Sequence, residues 1–116
     1  MRAYEEQDHA LARFVGLLDL SDGEVCYHAS RGADAGEFVR LVRGALSEGE
    51  RKSEADLKLA TIFARYTQDR PQLYRLMRRS GLGVGAQGPW ADREDHGYRR
   101  RVIDQALENA RRGVSR

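Results

Sequence analysis

Cysteine, proline, lysine and long apolar runs are all scarce in this sequence, and each shortage removes possibilities. The single cysteine, Cys26, cannot close a bridge within the chain, which excludes a disulfide-stapled fold and fits a reducing compartment. Two prolines leave most of the chain free to be helical, and no strand-like alternation of useful length occurs. The apolar runs are a few residues long, far short of the about 20 needed to cross a bilayer, so no membrane association is expected. No charged-then-apolar leader opens the chain, and a cytoplasmic protein is the expectation. Catalytic signatures are missing as well. His9, His28 and His96 are scattered, with none of the spacings that hold zinc. Gly81-Leu82-Gly83-Val84-Gly85 lacks the Gly-Lys-Ser/Thr that completes a phosphate loop, and no GxSxG nucleophile turn is present. The chain is therefore expected to have no enzymatic activity on its own, no metal and no intrinsic cofactor.

What remains is a 116-residue chain, 41% apolar and 33% charged, long enough to bury a core as one domain. The expected fold is all-α, a single compact helical bundle of about five to six helices. A first amphipathic stretch covers residues 3–18, with Ala10, Phe14, Leu17 and Leu18 near helical spacing. Ser21-Asp22-Gly23-Glu24 is a capping box, predicting a short helix that ends near Gly32. Asp34 is placed to cap a third helix, whose stripe of Phe38, Leu41, Val42, Ala45 and Leu46 carries Gly44 inside it. Ser53 is the expected N-cap of a fourth, with Glu54 and Asp56 complementing the dipole and Ala55, Leu59, Ile62, Phe63 and Tyr66 forming its apolar face. Asp69-Arg70-Pro71 opens a fifth, which Gly81 stops. Residues 81–97 hold five glycines and read as a loop, and a last helix covers about residues 95–112. The segments expected are an N-terminal helix over 1–18, the bundle over 19–112 and a tail over 113–116.

Charge is divided unevenly along the chain. Residues 1–64 hold 8 basic and 12 acidic side chains, whereas residues 65–116 hold 12 and 6. Arginine supplies 18 of the 20 basic residues. Guanidinium grips phosphate bidentately and stacks on bases, so a polyanion is the first partner to consider. Arg75, Arg78 and Arg79 fall at i, i+3, i+4, opposite Leu73, Leu76 and Met77, and would project together. That ridge can contact phosphates, or can be an ordinary solvated helix face. Arg99 falls inside the apolar stripe of Tyr98, Val102 and Ala106, where a cation must be paired, face a ligand or sit at the open end of the bundle. A carboxylate at Asp56 or Glu54 would pair it; a bound phosphate would do the same. Trp90 and Tyr98 flank the Arg99-Arg100-Arg101 run, where rings either stack on unpaired bases or lid the core.

Several motifs recur together. They are Leu20-Ser21-Asp22-x-Glu24-Val25, Phe38-x-x-Leu41 with Gly44, and Ser53-Glu54-Ala55-Asp56-Leu57. Leu73-x-Arg75-Leu76-x-Arg78-x-Ser80-Gly81-Leu82, Trp90, and Tyr98 with Ile103 and Ala106-Leu107 follow. In that order they resemble the helix-bundle domain of primase-polymerases from phages, plasmids and related mobile elements, over residues 19–110. The resemblance implies an accessory role in DNA replication: capture of single-stranded template, and of an initiating nucleotide such as ATP, for a primase-polymerase catalytic domain or an associated helicase. It carries Arg75, Arg78, Ser80, Trp90, Tyr98 and Arg101 as site residues, to which the cationic ridge and stripe add Arg79 and Arg99. Val42, Arg65-Tyr66, Pro89 and Val102 depart from the family pattern. The alternative expectation is a structural bundle whose arginines dock an acidic protein partner.

Overall fold

The computed structural model describes residues 20–83, Trp90 and residues 96–113. The expected N-terminal helix over 3–18, most of the glycine-rich loop and the last three residues lie outside them. Five helices follow in order: α1 (Asp22–Arg31), α2 (Ala35–Val42), α3 (Lys52–Ala64), α4 (Arg70–Arg79) and α5 (His96–Arg112). They form the all-α bundle that the periodicity predicts, with no strand among the described residues. No described helix is long and apolar enough to cross a membrane.

The caps explain where most of these elements begin. Ser21 Oγ accepts from the Glu24 amide at 3.1 Å while the Ser21 amide donates to Glu24 Oε1 at 2.8 Å, which completes the capping box. Asp69 Oδ2 accepts from the Gln72 amide at 3.1 Å, and Pro71 follows in the first turn of α4. Three expectations are corrected. The helix after Asp34 stops at Val42, because Gly44 turns left-handed at φ +86°. There the Ala45 amide reaches the Arg40 carbonyl and the Gly44 amide reaches Leu41, closing a Schellman motif. Ala45 and Leu46 consequently sit outside the helix and are exposed. Asp34 makes no capping bond; its carboxylate pairs with Arg65 instead. Ser53 is not the N-cap of α3 either: the cap is Arg51, two residues earlier, and Glu54 Oε1 accepts from the Arg51 amide at 3.2 Å.

At the centre lies α3, which packs most extensively on α5 and also touches α1, α2 and α4. Its burial is wider than a single stripe: Ala55, Leu59, Ala60, Thr61, Ile62, Phe63 and Ala64 are all enclosed. Small residues between the large ones let neighbours approach on several sides, as a central helix requires. Asp56 is also enclosed, at 1% exposure. It receives the Tyr98 hydroxyl at 2.7 Å and the Lys52 ammonium at 3.2 Å. The expectation of a first-turn charge complementing the dipole gives way to a buried acceptor joining α3 to α5.

The segment between α2 and α3 is held by Glu50. Its carboxylate accepts from Arg40 at 2.8 Å, Lys58 at 2.9 Å and the Ser47 amide at 3.0 Å. These donors, Arg40 first, hold the Glu50 carboxyl down to about 2. Asp22 is likewise held to about 2, chiefly by Arg75. Folded-state values below the unfolded ones mean stability that is complete above about pH 5 and lost as the pH falls towards 2. Stability should therefore fall across that window by on the order of 1–2 kcal/mol for each acid after solvent screening, and the melting temperature should decline with it. Glu50→Gln should remove part of the decline; a variant with the wild-type pH profile would show that Glu50 contributes nothing.

Candidate nucleic-acid interface

The α4 helix buries Leu73, Leu76 and Met77 against the core, so Arg75, Arg78 and Arg79 lie on its outer side. They do not form the uniform ridge that spacing alone predicts. Arg75 Nε and a terminal nitrogen donate to the two Asp22 oxygens, each at 2.7 Å. Arg79 approaches the same carboxylate at 3.5 Å. Gln72 completes the cluster, with its amide nitrogen 2.9 Å from Asp22 and 2.8 Å from the Leu20 carbonyl. Asp22 sits 53 positions from Arg75 in the chain, which is why helical spacing could not reveal the pairing. Arg78 is exposed and has no ion pair among the described residues.

Ser80 is enclosed at the end of α4, where its hydroxyl donates to the Met77 carbonyl at 2.7 Å. The next amide, of Gly81, donates to the Val42 carbonyl at 2.6 Å. Ser80 thus terminates α4 and helps dock it on α2, and its side chain does not face solvent in this conformation.

The aromatic residues form a ladder between α4 and α5. Tyr74 lies 6.4 Å from Trp90, and Trp90 packs edge-to-face on Tyr98 at 6.3 Å. Trp90 is 1% exposed, so its ring walls the core and no face is open for stacking. Its Nε1–H has no partner among the described residues. Tyr74 and Tyr98 are half-buried. Arg99 is enclosed at the start of α5, as its place in the apolar stripe requires, whereas Arg100 and Arg101 point outward.

These contacts fix the relative course of the two helices. Arg70 pairs with Asp104 at 2.6 Å, and Tyr74 meets Tyr98 through Trp90, so α4 and α5 run antiparallel. Arg70, Tyr74 and Arg78 are four apart and share one face of α4, while Arg100 and Arg101 lie one turn before Asp104 on α5. At 1.5 Å per residue, Arg78 and Arg101 stand about 8 Å apart along the axes, before side-chain reach. The seam therefore has an ion pair at one end, half-buried tyrosine beside it and, on both walls, guanidinium groups with no ion pair among the described residues. Such a surface can bind a flexible polyanion, because each free guanidinium can replace a counterion on a phosphate. No group of three or more His, Cys, Asp or Glu among the described residues is placed to hold a metal ion. No protein-family model, curated protein or solved structure matches the chain.

Proposed function

We propose that this chain is a non-catalytic helical module that binds single-stranded DNA along the α4–α5 seam. The observation that supports it is the set of exposed guanidinium groups with no ion-pair partner among the described residues, Arg78, Arg100 and Arg101, beside half-buried Tyr74 and Tyr98. A single strand suits such a seam better than a duplex, since its phosphates can follow closely spaced cations and its bases can turn towards the rings. With the motif resemblance to primase-polymerase helix bundles, the role is accessory: presenting template, and a nucleotide such as ATP, to a primase-polymerase catalytic domain or helicase.

Anisotropy of a labelled oligothymidylate, titrated at several salt concentrations with and without ATP, tests this directly. Three phosphate contacts should give a slope of about −2 in log affinity against log salt. Duplex of the same length should bind more weakly. Binding that is absent at low salt, or indifferent to salt, would sink the proposal. The second reading is an acidic protein partner, and the bidentate hold of Arg75 on the Asp22 carboxylate favours it. Polyglutamate that displaces the strand as well as unlabelled DNA does would decide for that reading.

A further inference from the structure

We infer that Asp22 is an intramolecular competitor for nucleic-acid phosphate, a carboxylate latch that withholds Arg75 and Arg79 from a bound strand until the carboxylate is neutralised. The inference rests on the strand-binding reading of the seam and adds a control to it.

The geometry is that of an occupied anion site. Both nitrogens of the Arg75 fork point at the two oxygens of Asp22, each at 2.7 Å, which is the arrangement guanidinium adopts on phosphate. Gln72 adds a third donor at 2.9 Å and Arg79 a more distant one at 3.5 Å. Asp22 is also the first residue of α1, where the helix dipole favours an anion. One carboxylate thus holds two guanidiniums, leaving one positive charge uncompensated at the cluster.

The same geometry leaves the latched guanidiniums open to solvent. Arg75 is 49% exposed and Arg79 71%, and ion pairs at the solvent boundary are individually weak. The contrast with Glu50 is instructive. It also binds two cations, but its side chain is 5% exposed against 24% for Asp22, so no external phosphate can take its place. Arg78 is the immediate neighbour of Arg79 and is already free. A strand seated on Arg78 brings its next phosphates within reach of the latched pair. In the closed state three guanidiniums serve the strand; with the carboxylate neutralised, five do.

Asp22→Asn and Asp22→Ser remove the charge while keeping residues that suit the opening turn of a helix. Glu24→Gln is the control, because it removes a charge from the same turn that contacts the Ser21 amide and no arginine. Each is titrated with the labelled oligothymidylate, and each is melted to show that it is folded. The salt slope should steepen from about −2 to about −3.5 in the Asp22 variants alone. The affinity lost between about 50 and 200 mM salt should then grow from about 20-fold to about 130-fold. Folded Asp22 variants with the wild-type slope, or an equal steepening in Glu24→Gln, would overturn the latch while leaving strand binding intact. If the wild type fails to bind, the strand-binding reading falls, and the latch, which rests on it, falls too. If none binds, both inferences fall. Should both Asp22 variants fail to fold, Asp22 is part of the scaffold and the latch is wrong.

Discussion

Phe63→Ala should lower stability by about 3–5 kcal/mol, the range for truncating a fully buried aromatic side chain. For a chain of this size that is a fall of about 10–20 °C in melting temperature. Phe63 lies on the central helix and packs edge-to-face on Phe38 at 5.6 Å. It also lines a solvent-open pocket of about 180 Å3 with Asp22, Cys26, Val42, Leu76, Arg79 and Ser80. Truncation would enlarge that pocket, and the four helices packed on α3 leave little room to collapse into it. The loss should therefore lie in the upper part of the range, with Ile62→Ala at about 2–5 kcal/mol. A melting temperature unchanged in both variants would show that α3 is not the centre of the core.

The second large effect is expected where two glycines touch. A Cβ built on Gly81 would stand 2.3 Å from the Arg43 carbonyl carbon and 2.5 Å from the Gly44 nitrogen. One built on Gly44 would stand 2.8 Å from the Gly81 oxygen, on a residue already at φ +86°. The obstacles are backbone atoms, so no rotamer change can relieve them. Alanine at either position must push α2 and the end of α4 apart, breaking the 2.6 Å bond from the Gly81 amide to Val42. We expect about 3 kcal/mol or more for Gly81→Ala, and a similar loss for Gly44→Ala, where strain adds to the overlap. Gly36→Ala is the matched control. It lies within α2 with nothing within 4 Å of the added carbon, so helix propensity alone should apply and stability should rise by about 0.5–1 kcal/mol. Equal melting temperatures for Gly81→Ala and the wild type would mean that the contact is dispensable.

Those two glycines also mark how far the sequence could be read. Gly81 was legible as a helix stop, because glycine after a periodic segment is a local signal. Gly44 was misplaced inside a helix, because the apolar stripe continues past it through Ala45 and Leu46 and periodicity cannot see a left-handed turn. That each glycine exists to admit the other is a property of the pair, whose members stand 37 positions apart in the chain.

The candidate interface divides in the same way. Its arginines were visible as spacing on helices, and burial bore out the inward placement of Arg99. Which guanidiniums are free was not visible. Arg75 and Arg79 share Asp22 at the start of α1, so two members of the expected ridge are partly neutralised while Arg78, Arg100 and Arg101 are not. Trp90 and Tyr98 flank the arginine run along the chain, yet one is enclosed in the core and the other donates its hydroxyl to Asp56.

By itself the sequence determined the all-α class, the bounds of α1, α4 and α5, the central apolar helix and the concentration of arginine in the second half. All of these follow from interactions within one or two turns: caps, dipoles, proline placement and the 3.6-residue period. Tertiary structure alone decided the burial of Asp56, the Glu50 staple, the Gly44–Gly81 contact and the hold of Asp22 on Arg75. Each joins residues distant in the chain through a charge or a backbone approach, and the strength of such a contact is set by the solvent and neighbours that only the packed bundle supplies.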